Sequence, residues 1–193
     1  MEDKLRNITY TELSSEWATL NRIDYDYKFN DGSWKRLSRE SYDRGNGTGI
    51  LLYNKEKGTI ILTKQFRMPA FDNNKKDGMS VEVCAGAIDK NEAPEVCIIR
   101  EVEEEVGYKI ESAKKVIECY TSPGAVTEKM FLFVAEYNDA MKINDGGGLE
   151  IENEEIEVLE IPFSKALSMV DHFEIIDAKT ILLLQYAQIN KLL

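Results

Sequence analysis

Arg100, Glu101, Glu104 and Glu105 fall within one short run of a stretch, GAIDKNEAPEVCIIREVEEEVGY (86–108), that carries six glutamates and one aspartate. Helical spacing places Glu101 and Glu105 on one face, with Glu104 beside them three residues after Glu101. Like charges so placed repel one another by roughly a few tenths of a kcal/mol per pair. A chain that gathers them either leaves them on a solvated face or brings positive charge to them. Arg100 supplies some, being four residues from Glu104. Three neighbouring carboxylates also suit Mg²⁺ or Mn²⁺, hard cations that prefer oxygen ligands and often contact substrate phosphates.

Composition limits what such a site can serve. With 193 residues, 43% hydrophobic and 31% charged, the chain has the make-up of a soluble globular protein with one substantial core and room for a small extra unit. Its net charge of −11 disfavours nucleic acid or an anionic membrane as partner. A phosphate-bearing small molecule stays compatible, because a bound divalent cation reverses the local field. Cys84, Cys97 and Cys119 are widely spaced, lie in apolar runs and form no CxxC pair, so they are expected as buried thiols in a reducing compartment. With His172 as the single histidine, expected at the surface or in a cap, a Cys/His zinc site is excluded. The opening MEDKLRNITY has no apolar signal stretch, and no run of about eighteen apolar residues occurs, so a cytoplasmic location is expected.

The elements that must position the acidic cluster follow from pattern. WATLNRIDYDYKF (17–29) and SWKRLSRESYDRG (33–45), separated around NDG, predict a hairpin, and RGNGTG (44–49) reads as a junction. GILLYN and TIILTKQFR predict strands flanking the turn NKEKG; MPAFDNNKKDGM (68–79) reads as a polar loop, and SVEVCAGAI (80–88) as one strand. Residues 94–106 predict a helix, with Pro94 in its first turn and Val96, Ile99, Val102 and Val106 as an apolar stripe. KKVIECYTSPG, KMFLFVAEY and IEVLEIPF predict further strands, and NDGGGLEIENEE a flexible acidic loop. Two closing helices follow, with Ser164 and Asp177 as expected N-caps.

Gly86, Glu92, Arg100-Glu101-Val102, Glu104-Glu105 and Gly107 have the order and spacing of the Nudix box, and the chain resembles the Nudix hydrolases. Tyr108 alone departs, standing where an aliphatic residue is usual. The resemblance extends outside the box through SRESYDRGNGTGILLYN, KQFRMP, EVCAGAID, YTSPGAVTE, GGGLEIENEEIEVLE and DAKTILLL, and is strongest to the subgroup acting on GDP-mannose, near those acting on ADP-ribose. It implies an α/β fold, the Nudix α/β/α sandwich with a mixed sheet (44–193), preceded by a small β-rich unit (1–43). It implies hydrolysis of a nucleotide sugar with Mg²⁺ or Mn²⁺, the substrate being GDP-mannose or, as the alternative, ADP-ribose. A non-catalytic nucleotide sensor is disfavoured by the intact Glu101, Glu104 and Glu105, and an acidic calcium-binding protein by the missing DxDxDG loop.

The resemblance further implies individual roles. Glu101, Glu105 and the Ala85 carbonyl would hold metal, with Arg100 orienting the glutamates and Gly86 and Gly107 permitting tight turns. An acidic-loop residue would join them: Glu154 counting back from IEVLE, Glu152 counting forward from GGG. Glu101, Glu104, Glu105 and Glu154 form the expected catalytic set. Trp17, Ser38, Arg39, Glu40, Arg67, Ala85, Gly86, Glu105, Glu128 and Lys179 are the expected substrate contacts, with Trp17 against the base. The N-terminal unit would mediate a homodimer and complete the partner's site.

Overall fold

The computed structural model describes residues 4–149, 151 and 153–193, with the backbone alone at Asn74. The chain forms two compact units, one from residues up to 46 together with 120–129, the other from 47–119 and 130–193.

The first unit is an antiparallel sheet of β1 (Leu5–Ser14), β2 (Thr19–Lys28) and β3 (Trp34–Asp43), with β2 central. The expected hairpin forms in register from Thr19↔Asp43 to Lys28↔Trp34. Asp31 holds its turn by accepting from the Ser33 amide at 2.9 Å and hydroxyl at 2.7 Å. The segment 120–129 joins this sheet through Tyr42, whose amide donates to the Ala125 carbonyl at 2.8 Å and whose carbonyl accepts from the Thr127 amide at 3.0 Å.

The second unit is a mixed sheet in the order β10 (Glu157–Pro162), β5 (Thr59–Phe66), β4 (Gly47–Asn54), β9 (Lys129–Glu136) and β8 (Lys114–Tyr120). Strand β6 (Met79–Glu82) adds to β5, and β7 (Cys84–Ala87) to β4. β4 runs parallel to β9 and antiparallel to β5 and β7. Both faces of β4 are buried, which explains its unbroken apolar run. Ile50 and Leu52 face the core under α2 (Pro94–Glu101), with Cys84, Ile98, Val102 and Val106. Leu51 points the other way, to α3 (Phe163–Asp171) and α4 (Ala178–Ile189), with Leu62, Ala166, Leu183 and Leu184. Helices therefore cover both faces of a mixed sheet, as an α/β/α sandwich requires. Tyr108 is buried and packs edge-on against Tyr137 at 5.2 Å between ring centroids, so its aromatic ring fills a core position.

Four expectations need correction, and one strand had no reading of its own. Leu5–Ser14 is a strand although all ten residues are exposed, so no apolar alternation announces it. Residues 68–74 are a helix, α1 (Met68–Asn74): proline opens it, Phe71 packs on Phe66 at 6.3 Å, and Lys75 ends it at φ +55°. The run 80–88 is two strands, its halves pairing with different neighbours. Ser164 lies inside α3, whose N-cap is Pro162, whereas Asp177 caps α4 by accepting from the Thr180 amide at 2.9 Å. The helix from Pro94 is α-helical only to Glu101 and continues as a π-helical turn over Val102–Val106; Val96 is exposed, and Cys97 and Ile98 take the buried positions. His172 ends α3 on the surface, its ring bonded to the Ser168 carbonyl at 2.8 Å, and Cys84 and Cys97 are buried while Cys119 is half-buried.

Leu183 is wholly buried between α4 and the sheet. Leu183→Ala keeps helix propensity but opens a cavity, and is expected to destabilise the protein by about 2–5 kcal/mol in urea titrations. A loss under about 1 kcal/mol would show that α4 is not packed as described.

Candidate active site

The π-helical turn decides where the glutamates go. Such a turn is wider than an α-helical one and is common at functional sites. Here it places Glu105 in the interior at 2% exposure, beside buried Val102 and Val106, rather than on a solvated face. Its Oε2 accepts from the Ala85 amide at 3.0 Å, and the Cys84 thiol lies against it. Burial, then repulsion from Glu101 and Glu154, pushes the Glu105 carboxyl up to about 7. Glu101 is also raised to about 7, first by burial, with Glu104 and Glu154 adding to it against the pull of Arg100. Arg100 acts as the expected orienting group, 3.0 Å from Glu101, 2.7 Å from Glu104 and 3.3 Å from Glu92.

Two glycine positions make the arrangement possible. A Cβ on Gly86 would overlap the Glu101 carboxylate, so only glycine lets that side chain lie against β7. A Cβ on Gly146, at φ +66°, would overlap the Glu105 carbonyl. The glycine run is thus part of the helix end and not a free hinge. The Gly147 amide donates to the Glu105 carbonyl at 2.9 Å and the Gly148 amide to the Glu104 carbonyl at 3.2 Å, satisfying groups a helix terminus leaves open. Beyond it Glu154 accepts from the Leu149 amide at 3.1 Å. Glu150 and Glu152 lie outside the described residues.

Among the described residues no three acidic, histidine or cysteine side chains already stand as a metal cage. Each carboxylate has its own donor: Arg100 for Glu101, Ala85 for Glu105, Leu149 for Glu154. The donor set nevertheless fits a divalent cation. It is all oxygen, largely buried and mutually repelling, and Glu105 makes no ion pair among the described residues.

A second acidic centre went unread in the sequence. Glu82, at the end of β6, is buried at 4% exposure. It accepts from Arg67 Nε and Nη2, each at 3.0 Å, and from Lys179 Nζ at 2.6 Å. Lys179 also donates to Asp177 at 2.9 Å. Burial would raise the Glu82 carboxyl, but the two cations outweigh it and hold it at about 2. The available signal was a charged residue inside the apolar strand run SVEVCAGA, where a carboxylate requires partners.

The other expected contacts belong to the first unit. Trp17 is 76% exposed, with the Arg44 guanidinium 5.2 Å from its ring centroid. Arg44 also lies 3.5 Å from Glu128, which makes it a neighbour of two expected contacts that sequence reading did not single out. Ser38, Arg39 and Glu40 follow one another on β3, and Arg39 donates to the Ser38 carbonyl at 2.7 Å. Arg39 and Glu40 line an open cavity of about 490 Å³ with Ile23, Tyr25, Tyr120 and Thr127.

The raised carboxyls give a pH test. The unfolded chain ionises Glu101 and Glu105 near the ordinary 4.5, while the fold keeps their protons until about 7. Their destabilising effect therefore grows from 4.5 upward and is complete above 7, and a cation must displace those protons below 7. Mg²⁺ or Mn²⁺ is expected to raise Tm more at about pH 8 than at about pH 5.5 in thermal melts. Equal increments at both would place cation binding elsewhere.

Residues 43–184 match the NUDIX domain family, and residues 4–42 match the GDP-mannose pyrophosphatase NudK N-terminal domain. A GDP-mannose pyrophosphatase of Cronobacter sakazakii is 53% identical over 178 residues, 92% of each chain. One of Yersinia pestis is 48% identical over 190 residues, 98% of this chain and 94% of the relative. One of Yersinia enterocolitica is 48% identical over 193 residues, the whole of both. The glutamate pair on its loop–helix–loop, the α/β/α sandwich that carries it and this end-to-end similarity agree: the chain belongs to the Nudix hydrolase family and is an enzyme.

Proposed function

We propose that this enzyme hydrolyses the pyrophosphate linkage of a nucleotide sugar, GDP-mannose, to GMP and mannose 1-phosphate, using Mg²⁺ or Mn²⁺ in the cytoplasm. The carrying observation is the neighbouring pair of half-buried Glu101 and buried Glu105, in a chain similar throughout its length to enzymes named for that reaction. The Ala85 carbonyl, Glu101, Glu105 and Glu154 would hold the ion, which supplies polarisation of phosphoryl oxygens and acidification of water.

The chain's own groups do the rest. Arg100 fixes Glu101 and Glu104 through ion pairs, so the carboxylates need no reorganisation as charge develops. Glu154 has Oε2 engaged by the Leu149 amide, leaving Oε1 to accept the proton of the attacking water. Arg67 and Lys179 put positive charge beside the acidic centre, and the bare Gly86 leaves room for the Glu101 carboxylate against β7. Trp17 stacks on the base, and Ser38, Arg39, Glu40 and Glu128 contact the rest of the substrate. The unit spanning 1–43 forms a homodimer and completes the partner's site; a first strand exposed at all ten positions is consistent with this role.

Glu101→Gln and Glu105→Gln are each expected to lower turnover by about a hundredfold or more with the fold intact, and Glu154→Gln to act on kcat more than KM. A coupled phosphatase assay with and without Mg²⁺, over GDP-mannose, ADP-ribose and other nucleotide sugars, reads this out. Near-wild-type turnover of either box variant at saturating Mg²⁺ would remove the assignment, and faster hydrolysis of ADP-ribose would move the substrate.

Deleting residues 1–43 is expected to abolish activity and convert a dimer to a monomer by light scattering. A fully active monomeric fragment would refute the role given to the N-terminal unit.

A further inference from the structure

We propose that Glu82 is a positioning residue: its buried carboxylate, itself held by Lys179, fixes the Arg67 guanidinium so that the free edge of that group meets the substrate diphosphate. The inference rests on the nucleotide-sugar reading above and goes beyond it by separating one contact residue from the pair that aims it.

Arg67 spends Nε and Nη2 on the two oxygens of Glu82, a two-point fork that fixes the plane of the guanidinium. Its Nη1 has no hydrogen bond among the described residues, and its side chain is 42% exposed. Lys179 differs. It is 13% exposed and bonded to two carboxylates, Glu82 and Asp177, so two of its three N–H donors serve protein groups. The base of the fork is locked from the neighbouring residue as well. The Val83 amide donates to Thr180 Oγ1 at 2.8 Å, and that hydroxyl donates to Asp177 Oδ2 at 2.6 Å, at the N-cap of α4. Strand β6 and helix α4 therefore both fix Glu82, and Glu82 fixes Arg67. The charge of Glu105 in turn acts on the Arg67 guanidinium, which ties this cluster to the acidic centre. An arginine on a flexible stem would otherwise lose rotamer freedom on meeting the substrate; held beforehand, it loses less.

The test is a kinetic double-mutant cycle on the full-length protein with GDP-mannose and Mg²⁺, comparing wild type, Arg67→Ala, Glu82→Gln and the double variant, each checked by thermal melting. Arg67→Ala and Glu82→Gln are each expected to lower kcat/KM by about tenfold, mainly through KM, with the double variant no worse than Arg67→Ala alone. Multiplying effects would overturn the proposal, as would Glu82→Gln with kcat/KM unchanged and only Tm lowered. If Glu82→Gln does not fold, Glu82→Asp takes its place in the cycle, since it keeps the charge but shifts the fork by one methylene. A wild-type protein inactive on every nucleotide sugar would remove the nucleotide-sugar reading, and this inference with it.

Discussion

The burial of Glu105 is the constraint around which the centre of the molecule is built. A carboxylate at 2% exposure is costly unless donors or a cation meet it. The chain meets the demand with backbone. The Ala85 amide reaches one oxygen, and the π-helical turn sets the side chain inward where β7 supplies that amide. The turn, like any helix end, leaves carbonyls open, and the glycine run takes them at Glu104 and Glu105. Gly86 clears the space for Glu101. Strand, turn and loop are thus fitted to one buried acid.

Two acidic centres in the same unit meet opposite electrostatic conditions. Glu82 is held by two of the chain's own cations, Arg67 and Lys179, so its carboxyl falls to about 2. Glu101 has one arginine, Arg100, that also serves Glu92 and Glu104, Glu105 has the Ala85 amide and no ion pair among the described residues, and both carboxyls rise to about 7. The difference is one of supplied counter-charge, since burial opposes ionisation in all three. The first centre is closed electrostatically and suits a structural task. The second is left short of positive charge and suits an ion brought from outside.

Pattern in the sequence was enough for most strands and helices and for the acidic pair, which rest on local periodicity, while the sandwich followed from the resemblance to the Nudix hydrolases. β4 and β5 announce themselves as apolar runs bounded by a turn, and Glu101 and Glu105 by their spacing. Tertiary contacts decided what was missed. α1 depends on Phe71 meeting Phe66 and on a lysine adopting positive φ, neither visible in a polar run. β1 is held by pairing with β2 rather than by an apolar face. The π-helical turn needs the glycine run and β7 in place, so helical spacing alone put Glu105 on the wrong side of the helix. Glu82 is paired with residues distant in sequence, Arg67 and Lys179, and no local pattern could announce it.

A net charge of −11 might be thought to repel an anionic diphosphate, and the layout of charge shows why it need not. Exposed charges farther than a Debye length, about 8 Å at physiological ionic strength, are largely screened. Asp72, Asp139 and Glu157 are exposed and paired with nearby lysines, so much of their charge is met at the surface. On the reading proposed above, what the substrate meets is set within a few side chains: Arg67 held by Glu82, Arg100 held by its glutamates, and the carboxylates that would hold a cation. Net charge summed over the surface says little about affinity for phosphate, which is decided locally.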